Sequence, residues 1–319
     1  MQTSQTHRIA VLVPCYNEAL TVGEVVRGFR AALPDATIYV YDNNSTDGTA
    51  EVARAAGAEV RFEPQPGKGS VVRRMFADID ADWYVMVDGD ATYDATAAPR
   101  LVETAATGAH DMVNVARAET GEKAYRRGHR LGNRLLTGLV GAIFGSRTQD
   151  MLSGYKCFSR RFVKTFPAMS SGFEIETELM IHALELRLPV AEISAPYGER
   201  PEGSASKLAT YRDGFIILRL IGLLVQRERP LEFFSALAGL LLVVALLLGL
   251  PVIGTFLETG LVPRLPTALL AASLVLSALL SFAVGLILQA VALSRREMKR
   301  LAYLGFAAGP SQAGSTRAP

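Results

Sequence analysis

Cysteine, tryptophan and histidine are scarce in this chain of 319 residues, with two, one and four copies respectively. Cys15 and Cys157 cannot supply a zinc cluster or a disulfide framework, and each falls in a predicted strand as a small buried hydrophobe suited to a reducing compartment. His7, His110, His129 and His182 are scattered and are expected to be structural rather than catalytic. A strong excess of one charge is also missing: the formal net charge is +2, too small for a nucleic-acid-binding surface. Charge of either sign nearly vanishes between Leu231 and Ser294, where Glu232, Glu258 and Arg264 are the only charged residues. The first residues, Met1 to Arg8, are polar and lead straight into a strand, so no secretory signal is expected there and the N-terminal domain is placed in the cytoplasm.

The first half of the chain alternates strands with helices. Ile9 to Pro14 is an apolar β-type run closed by Pro14-Cys15-Tyr16-Asn17-Glu18, and apolar residues then return at helical spacing from Ala19 to Leu33. Ile38 to Tyr41 predicts a second strand, ending at Asp42. Asn43 to Thr49 follows with turn and capping residues that open a helix to about Ala56. Glu59 to Phe62 is a third strand, Pro66-Gly67-Lys68-Gly69 a loop before a helix to about Asp80, and Trp83 to Val87 a fourth strand. This alternation predicts an α/β fold with a Rossmann-like, mostly parallel sheet covered by helices on both faces. Ligands of such sheets sit beyond the carboxyl ends of the strands. Glu18, Asp42, Asp88 and Asp90 all fall there. No apolar core gains from Asp88 or Asp90, although Asp90 could serve as a helix cap. Two carboxylates flanking Gly89 suit a hard divalent cation that shares its oxygen ligands with a diphosphate.

A helix (Ala97 to Thr107) and a strand (Met112 to Ala116) lead into a basic segment holding Arg117, Lys123, Arg126, Arg127, Arg130 and Arg134. On a helix from Lys123, Arg126, Arg130 and Arg134 form one stripe, without the interleaved acids of an ordinary solvated face. Asp150 to Phe158 reads as a turn into a strand. A helix from Gly172 to Leu186 carries Glu174, Glu176 and Glu178 near its start, where acids suit the positive end of a helix. After a strand from Pro189 to Ala195, the Gly/Ser loop Glu199 to Lys207 reads either as a linker or as a flap whose Lys207 closes on an anion.

From Leu208 to Gln226 apolar residues dominate, while Arg212, Arg219 and Gln226 share one face, the pattern of a helix lying in a membrane interface. Phe233 to Phe256 is long enough to span hydrocarbon, about 36 Å at helical rise. Thr267 to Leu293 makes a second span after a loop of roughly ten residues. Basic residues precede the first span (Lys207, Arg212, Arg219, Arg227, Arg229) and follow the second (Arg295, Arg296, Lys299, Arg300), so both ends are expected on the cytoplasmic side. The expected organisation is a catalytic domain over 1–207, an amphipathic juxtamembrane helix over 208–230, a transmembrane hairpin over 231–294 and a basic, disordered end over 295–319.

Val13-Pro14-Cys15-Tyr16-Asn17-Glu18, Asp42 to Thr49, Gly67-Lys68-Gly69 and Asp88-Gly89-Asp90, in this order and spacing, resemble the signature of family 2 glycosyltransferases. With Asp150 to Lys156, the Ser204 to Lys207 loop and the C-terminal hairpin, the whole chain is similar to polyprenyl-phosphate glycosyltransferases, among them dolichol-phosphate mannose synthases and bacterial undecaprenyl-phosphate glucosyltransferases. The resemblance implies a GT-A fold and inverting transfer of a hexose from a UDP- or GDP-linked sugar to a polyprenyl monophosphate at the cytoplasmic membrane face. It implies that Pro14, Tyr16, Asn17, Glu18, Asp42, Ser45 and Lys68 bind the nucleotide sugar together with Asp88, Gly89 and Asp90. Asp88 and Asp90 would hold Mg²⁺ or Mn²⁺ and carry the catalytic role. Arg117, Arg126, Arg130, Ser206 and Lys207 would meet the acceptor phosphate. Glu174, Glu176 or Glu178 would orient a sugar hydroxyl, with the choice among them open. Family precedent includes both monomers and homotetramers. One departure stands out: where mannose synthases carry a Gln two residues after the second Asp, this chain has Thr92.

A lipid phosphate is already anionic near neutral pH and attacks an anomeric carbon without a strong base, so the scarcity of histidine fits this chemistry. Two other transferases share the early motifs. A processive polysaccharide synthase would carry a Gln-x-x-Arg-Trp motif, whereas the single tryptophan is Trp83. A non-processive enzyme extending a lipid-linked glycan would need a base, for which Glu174 to Glu178 are the candidates. A catalytically silent membrane assembly partner would have no use for the intact set Glu18, Asp88 and Asp90. Ending the chain at Gln226 is expected to weaken use of long-chain acceptors more than nucleotide binding.

Overall fold

The computed structural model describes residues 7–119, 137–138, 140–141, 145, 148–172, 174–198, 222–223 and 225–307. The chain divides into two compact units, one of residues 1–214 with 299–319 and one of residues 215–298.

The first unit opens with β1 (Ile9–Cys15), α1 (Val22–Ala32), β2 (Thr37–Asp42), α2 (Thr49–Ala55), β3 (Glu59–Phe62), α3 (Lys68–Asp78) and β4 (Trp83–Met86). A 3-10 turn (Ala95–Ala97), α4 (Ala98–Thr107), β5 (Met112–Glu119), β6 (Lys156–Ser159), α5 (Arg160–Thr165), α6 (Ile175–Glu185) and β7 (Val190–Tyr197) complete it. The strands form one seven-stranded sheet in the order β3-β2-β1-β4-β6-β5-β7. β1 pairs in parallel with β2 and β4, β2 with β3, and β5 with β7, while β6 runs antiparallel to both its neighbours. The α/β class with a mostly parallel sheet is as expected from the sequence.

Central strands buried on both faces read as continuous apolar runs, and β4 (Trp83 to Met86) is buried throughout. Alternate residues Val11, Val13, Cys15, Val85 and Val87 join the core beneath α1 and α4, where Val22, Val25, Val26 and Phe29 form the apolar stripe of α1. On the other face Tyr84, Phe158, Phe162 and Phe166 pack with Phe76 of α3, at ring separations of 4.8 to 6.3 Å.

Several element bounds differ from the sequence reading, β7 running to Tyr197 and α6 starting only at Ile175, and two differences bear on the fold. β5 runs on to Glu119, because its parallel pairing with β7 continues in register to Glu119 and Tyr197. The short α5 was not anticipated; Ser159 caps it, its hydroxyl accepting from the Phe162 N–H at 3.2 Å, and six residues are too few to show a helical period.

The second unit holds α7 (Pro230–Thr259) and most of α8 (Leu265–Leu304), which are 30 and 40 residues long and apolar enough to cross a membrane. Both run past the expected apolar windows, and their connection shortens to Gly260–Arg264 rather than roughly ten residues. Gly260, at φ 68°, ends α7 in the left-handed conformation that glycine adopts without strain, and Pro266 falls in the first turn of α8. Ala238, Ala245 and Val252 on α7, and Ala271, Ala278 and Ala292 on α8, are buried at multiples of seven residues. Small side chains along this seam let the helices approach: a Cβ on Gly285 would lie 2.9 Å from Cβ of Phe234.

Candidate active site

Parallel pairing aligns the ends of β1, β2 and β3, with Cys15 opposite Asp42 and Asp42 opposite Phe62. β4 ends at Met86, opposite Leu12, and the chain passes through Val87 to Asp88. Antiparallel β6 begins at the same edge, Lys156 opposite Met86. The sheet therefore brings Glu18, Asp42, Asp88 and Asp90 to one edge and adds Lys156 to them.

The loops along that edge are tied to one another. Asn17, at φ 53°, donates its N–H to Ser45 Oγ at 2.8 Å and accepts from the Thr46 N–H at 2.8 Å. The Glu18 N–H donates to Thr49 Oγ1 at 2.9 Å, and Thr21 Oγ1 bridges a Glu18 carboxylate oxygen at 3.3 Å and the Gly89 carbonyl at 2.7 Å. Pro14 sits at the end of β1, and Tyr16 beside it is about half exposed. Asp42 is buried; its Oδ2 accepts from the Ser45 N–H at 3.4 Å, while Oδ1 has no hydrogen-bond partner. A buried carboxylate oxygen lacking a donor at a ligand edge is a place for a hydroxyl or N–H of a bound molecule.

Asn43, which the sequence reading quoted in a motif but gave no role, joins three segments. Its amide donates to the carbonyls of Glu63 and Gln65, both at 2.8 Å, and its Oδ1 accepts from the Gly67 N–H at 2.8 Å. The Gly67-Lys68-Gly69 turn is pressed on the backbone of Ser170 and Ser171, where a Cβ on either glycine would collide with a carbonyl oxygen. The Gly69 N–H donates to the Ser171 carbonyl at 3.0 Å. This packing opens α3 with Lys68 aimed at the sheet edge. Its ammonium lies 2.5 Å from Asp88 Oδ1 and 2.5 Å from Glu176 Oε1. Burial works against the Lys68 charge, yet these two carboxylates outweigh it and raise its pKa.

Of the three glutamates left open, only Glu176 reaches this cluster. Glu178 accepts from the Met169 and Ser170 N–H groups at 3.1 and 2.8 Å, and Glu174 stands at the start of α6 beside Gly172. Behind Glu176 lies Lys156, fully buried, 3.8 Å from Glu176 Oε2 and donating to Asn114 Oδ1 at 2.9 Å and to the Ser153 carbonyl. Burial lowers its pKa. Lys156 has no role legible from local sequence; its one signal is a lysine following Tyr155 at the start of a strand that continues with Cys157 and Phe158.

Arg117, near the end of β5, makes a two-pronged pair with Asp150 at 2.6 and 2.8 Å and lies 5.3 Å from the Tyr197 ring. Burial acts against the Asp150 charge, but Arg117 prevails and lowers its pKa. Arg126, Arg130, Ser206, Lys207, the basic stripe with Arg134, almost all of the Leu208 to Gln226 helix and the tail beyond residue 307 lie outside the described residues.

Asp88 is partly exposed and is packed against Gly154, where a Cβ would collide with its carboxylate. Asp90 is buried, accepting from Thr92 Oγ1 at 2.6 Å and from the Thr92 N–H at 3.2 Å. Ala91 between them takes φ 56°. Thr92, standing where a third ligand was in question, thus holds Asp90 by its side chain. Among the described residues no group of three or more His, Cys, Asp or Glu could hold a metal. Two carboxylates suit Mg²⁺ or Mn²⁺, which take hard oxygen ligands and complete their shell with substrate phosphates and water.

Residues 10–166 match the glycosyl transferase family 2 model. Glycosyltransferase AglJ of Haloferax volcanii is 34% identical over 229 residues, covering 72% of this chain and 75% of that protein. The dolichyl-phosphate hexose transferase of the same organism is 26% identical over 221 residues, covering 69% of this chain and 95% of that protein. Among solved structures, Mycobacterium tuberculosis glucosyl-3-phosphoglycerate synthase, in complex with Mn²⁺, UDP-glucose and glycerol 3-phosphate, superposes with a TM-score of 0.57 at 25% identity, covering 70% of this chain and 80% of that one.

Proposed function

Since the chain belongs to glycosyl transferase family 2 and is a nucleotide-sugar-dependent glycosyltransferase with a GT-A-like sheet, we propose that it transfers a hexose from a UDP- or GDP-linked sugar to a polyprenyl monophosphate. The transfer inverts the anomeric centre and takes place at the cytoplasmic membrane face, yielding a lipid-linked sugar donor. The observation that carries this reading is that a sheet edge gathering Glu18, Asp42, Asp88 and Asp90 and two helices long enough to cross a membrane belong to one chain. The likeness to a dolichyl-phosphate hexose transferase supports the same acceptor class. In this reading α7 and α8 span the bilayer, and the basic residues flanking them keep both ends of the hairpin on the side of the catalytic domain.

Each group at the edge has a part in the transfer. Asp42 Oδ1 takes a donor from the nucleoside, and Asn17, Ser45 and Asn43 keep the surrounding loops in place. Asp88 and Asp90 would hold the divalent ion, which when bound would supply neutralisation of the charge on the departing diphosphate. Lys68 adds a positive charge on the same side. Arg117, with Arg126, Arg130, Ser206 and Lys207, receives the acceptor phosphate and offsets the repulsion between two anions. Glu176 already shares its oxygens with Lys68 and Lys156, and Glu178 with two backbone N–H groups, so neither is offered to an acceptor hydroxyl as a base, and Glu174 is the one of the three that this argument leaves for glycan extension. With two of the three candidate bases engaged, an acceptor which is an anion from the outset is the simpler reading, and Glu174→Gln, which should leave transfer to a lipid phosphate intact, separates it from extension of a glycan. Incubating the purified full chain with polyprenyl phosphate and a panel of UDP- and GDP-sugars, with and without Mn²⁺, tests the reading. A lipid-linked hexose that requires the metal is expected, and absence of lipid product with every donor overturns it.

A further inference from the structure

Lys68 occupies the position of a cation at a cation site. Its ammonium is shared between Asp88, one of the two carboxylates suited to the divalent ion, and Glu176, which takes no part in that pair. The backbone beneath it cannot yield, since Gly67 and Gly69 are pressed on the Ser170 and Ser171 carbonyls. Any displacement must come from the four-carbon stem, which is flexible. Retreat deeper into the protein is opposed by Lys156, whose own ammonium stands on the far side of Glu176 and is held by Asn114. Of its two partners, Asp88 is the one on the solvent side, its side chain 30% exposed against 5% for Glu176.

We propose that Lys68 is a resident counter-ion of Asp88 that an entering divalent ion must displace, so that metal and nucleotide diphosphate bind in a strongly coupled way. Resting on the donor and metal assignments above, this assigns to Glu176 the task of retaining Lys68 once Asp88 is given up. Metal alone meets a carboxylate already neutralised and a second one, Asp90, held by Thr92. With no third protein carboxylate or imidazole in the group among the described residues, the ion gains little until a diphosphate brings further oxygens and draws Lys68 off Asp88. By linkage, the factor by which UDP tightens Mn²⁺ equals the factor by which Mn²⁺ tightens UDP.

Titration of the purified full chain with Mn²⁺, followed by calorimetry and by the paramagnetic resonance of the free ion, with and without UDP, tests this. In the natural protein Mn²⁺ alone is expected to bind weakly, and UDP to tighten it by about 10- to 100-fold. Lys68→Met is expected to bind Mn²⁺ alone about tenfold more tightly and to keep little of the coupling, although removing a lysine from a diphosphate site would ordinarily lower affinity for every ligand there. Lys68→Arg, which keeps the charge, restores weak binding. Glu176→Gln, which leaves Lys68 wholly to Asp88, weakens Mn²⁺ binding, and this variant decides the matter should Lys68→Met not fold. Unchanged or weaker Mn²⁺ affinity in folded Lys68→Met, or unchanged affinity in Glu176→Gln, overturns the proposal. No lipid or sugar enters these titrations, so failure to glycosylate polyprenyl phosphate would leave this result standing, and the reverse also holds.

Discussion

Thr92 shows how one side chain sets the chemistry of its neighbour. Its hydroxyl and N–H both donate to the same oxygen of Asp90, fixing a buried carboxylate in a single orientation. Hydrogen bonds to a charged group contribute roughly 1.5–3 kcal/mol. Thr92→Val keeps the shape and removes the hydroxyl, so the Mn²⁺ concentration for half-maximal transfer should rise about tenfold or more, for about 1.4 kcal/mol lost. An unchanged metal requirement would show that Asp90 is held by other means. His182 makes a different case. It is buried edge-on to Phe162 and Phe166 at 5.2 and 5.4 Å, neither ring nitrogen has a hydrogen-bond partner, and Lys299 and Glu185 are nearby charges. Burial, helped by Lys299, lowers its pKa to about 3. The unfolded chain binds this proton below about 6.5 and the folded chain does not. Stability from this group is therefore complete above pH 6.5 and declines as pH falls toward 3, with a slope of up to about 1.4 kcal/mol per pH unit. Melting curves between pH 7 and 4 should lose part of their acid dependence in His182→Phe.

At the scale of elements, small residues decide where segments meet. The Gly67-Lys68-Gly69 turn is placed by backbone packing, and a Cβ on Gly69 meets the Ser170 carbonyl, which no rotamer can move away. Gly69→Ala should therefore abolish UDP binding, or the folded protein with it, whereas Gly198→Ala, with ordinary contacts, should be tolerated in both assays. In the hairpin the buried alanines act likewise: Ala245→Leu or Ala278→Leu overpacks the seam and should cost about 1–3 kcal/mol, seen as a lower melting temperature in detergent. Leu247→Ala, on a side chain 69% exposed, is the control that should change little. Much of this was legible beforehand. Strands β1, β2 and β4 announce themselves as apolar runs leading to Pro14, Asp42 and Asp88, because buried parallel strands carry few polar residues, whereas β3, at the sheet edge, carries Glu59 and Arg61. The acidic edge follows from that parallel order alone. Lys156 and Asn43 escaped because their roles depend on which strands are neighbours: β6 returns antiparallel beside β4 after a long excursion of the chain, and no local period records that. The partners of Glu178 lie in the 168–172 segment and those of Glu176 on α3 and β6, so both are set by packing rather than by position in the helix.

Across the whole molecule, the chain returns to its first unit at its end. The last turns of α8 belong to that unit and are stitched to it by charge. Tyr303 donates to Asp111 Oδ2 at 2.7 Å, and its ring lies 4.7 Å from the Arg161 guanidinium, which makes its own pair with Asp111 at 2.6 and 3.0 Å. Lys299 reaches Glu185 at 2.7 Å, and Arg300 donates to the Leu186 carbonyl at 3.3 Å. Asp111 and the Glu185 side chain are each 1% exposed. Ending the chain at Gln226 would then do more than remove two apolar helices. It would take the Tyr303 hydroxyl from Asp111, which keeps Arg161 and Ser159, and the Lys299 ammonium from the buried Glu185, and breaking a buried ion pair by removing one partner costs up to roughly 3–5 kcal/mol. The expectation from sequence, that such a truncation weakens use of long-chain acceptors more than nucleotide binding, therefore applies to whatever fraction stays folded. Tyr303→Phe in the full chain separates the two effects, because it removes one hydroxyl and keeps both the ring and the hairpin. It should lower the melting temperature by an amount matching about 1 kcal/mol and leave UDP affinity and long-chain acceptor use unchanged. The truncated chain should melt well below it. Equal melting temperatures for the truncated and full chains would show that the returning helix end adds nothing to the stability of the catalytic unit.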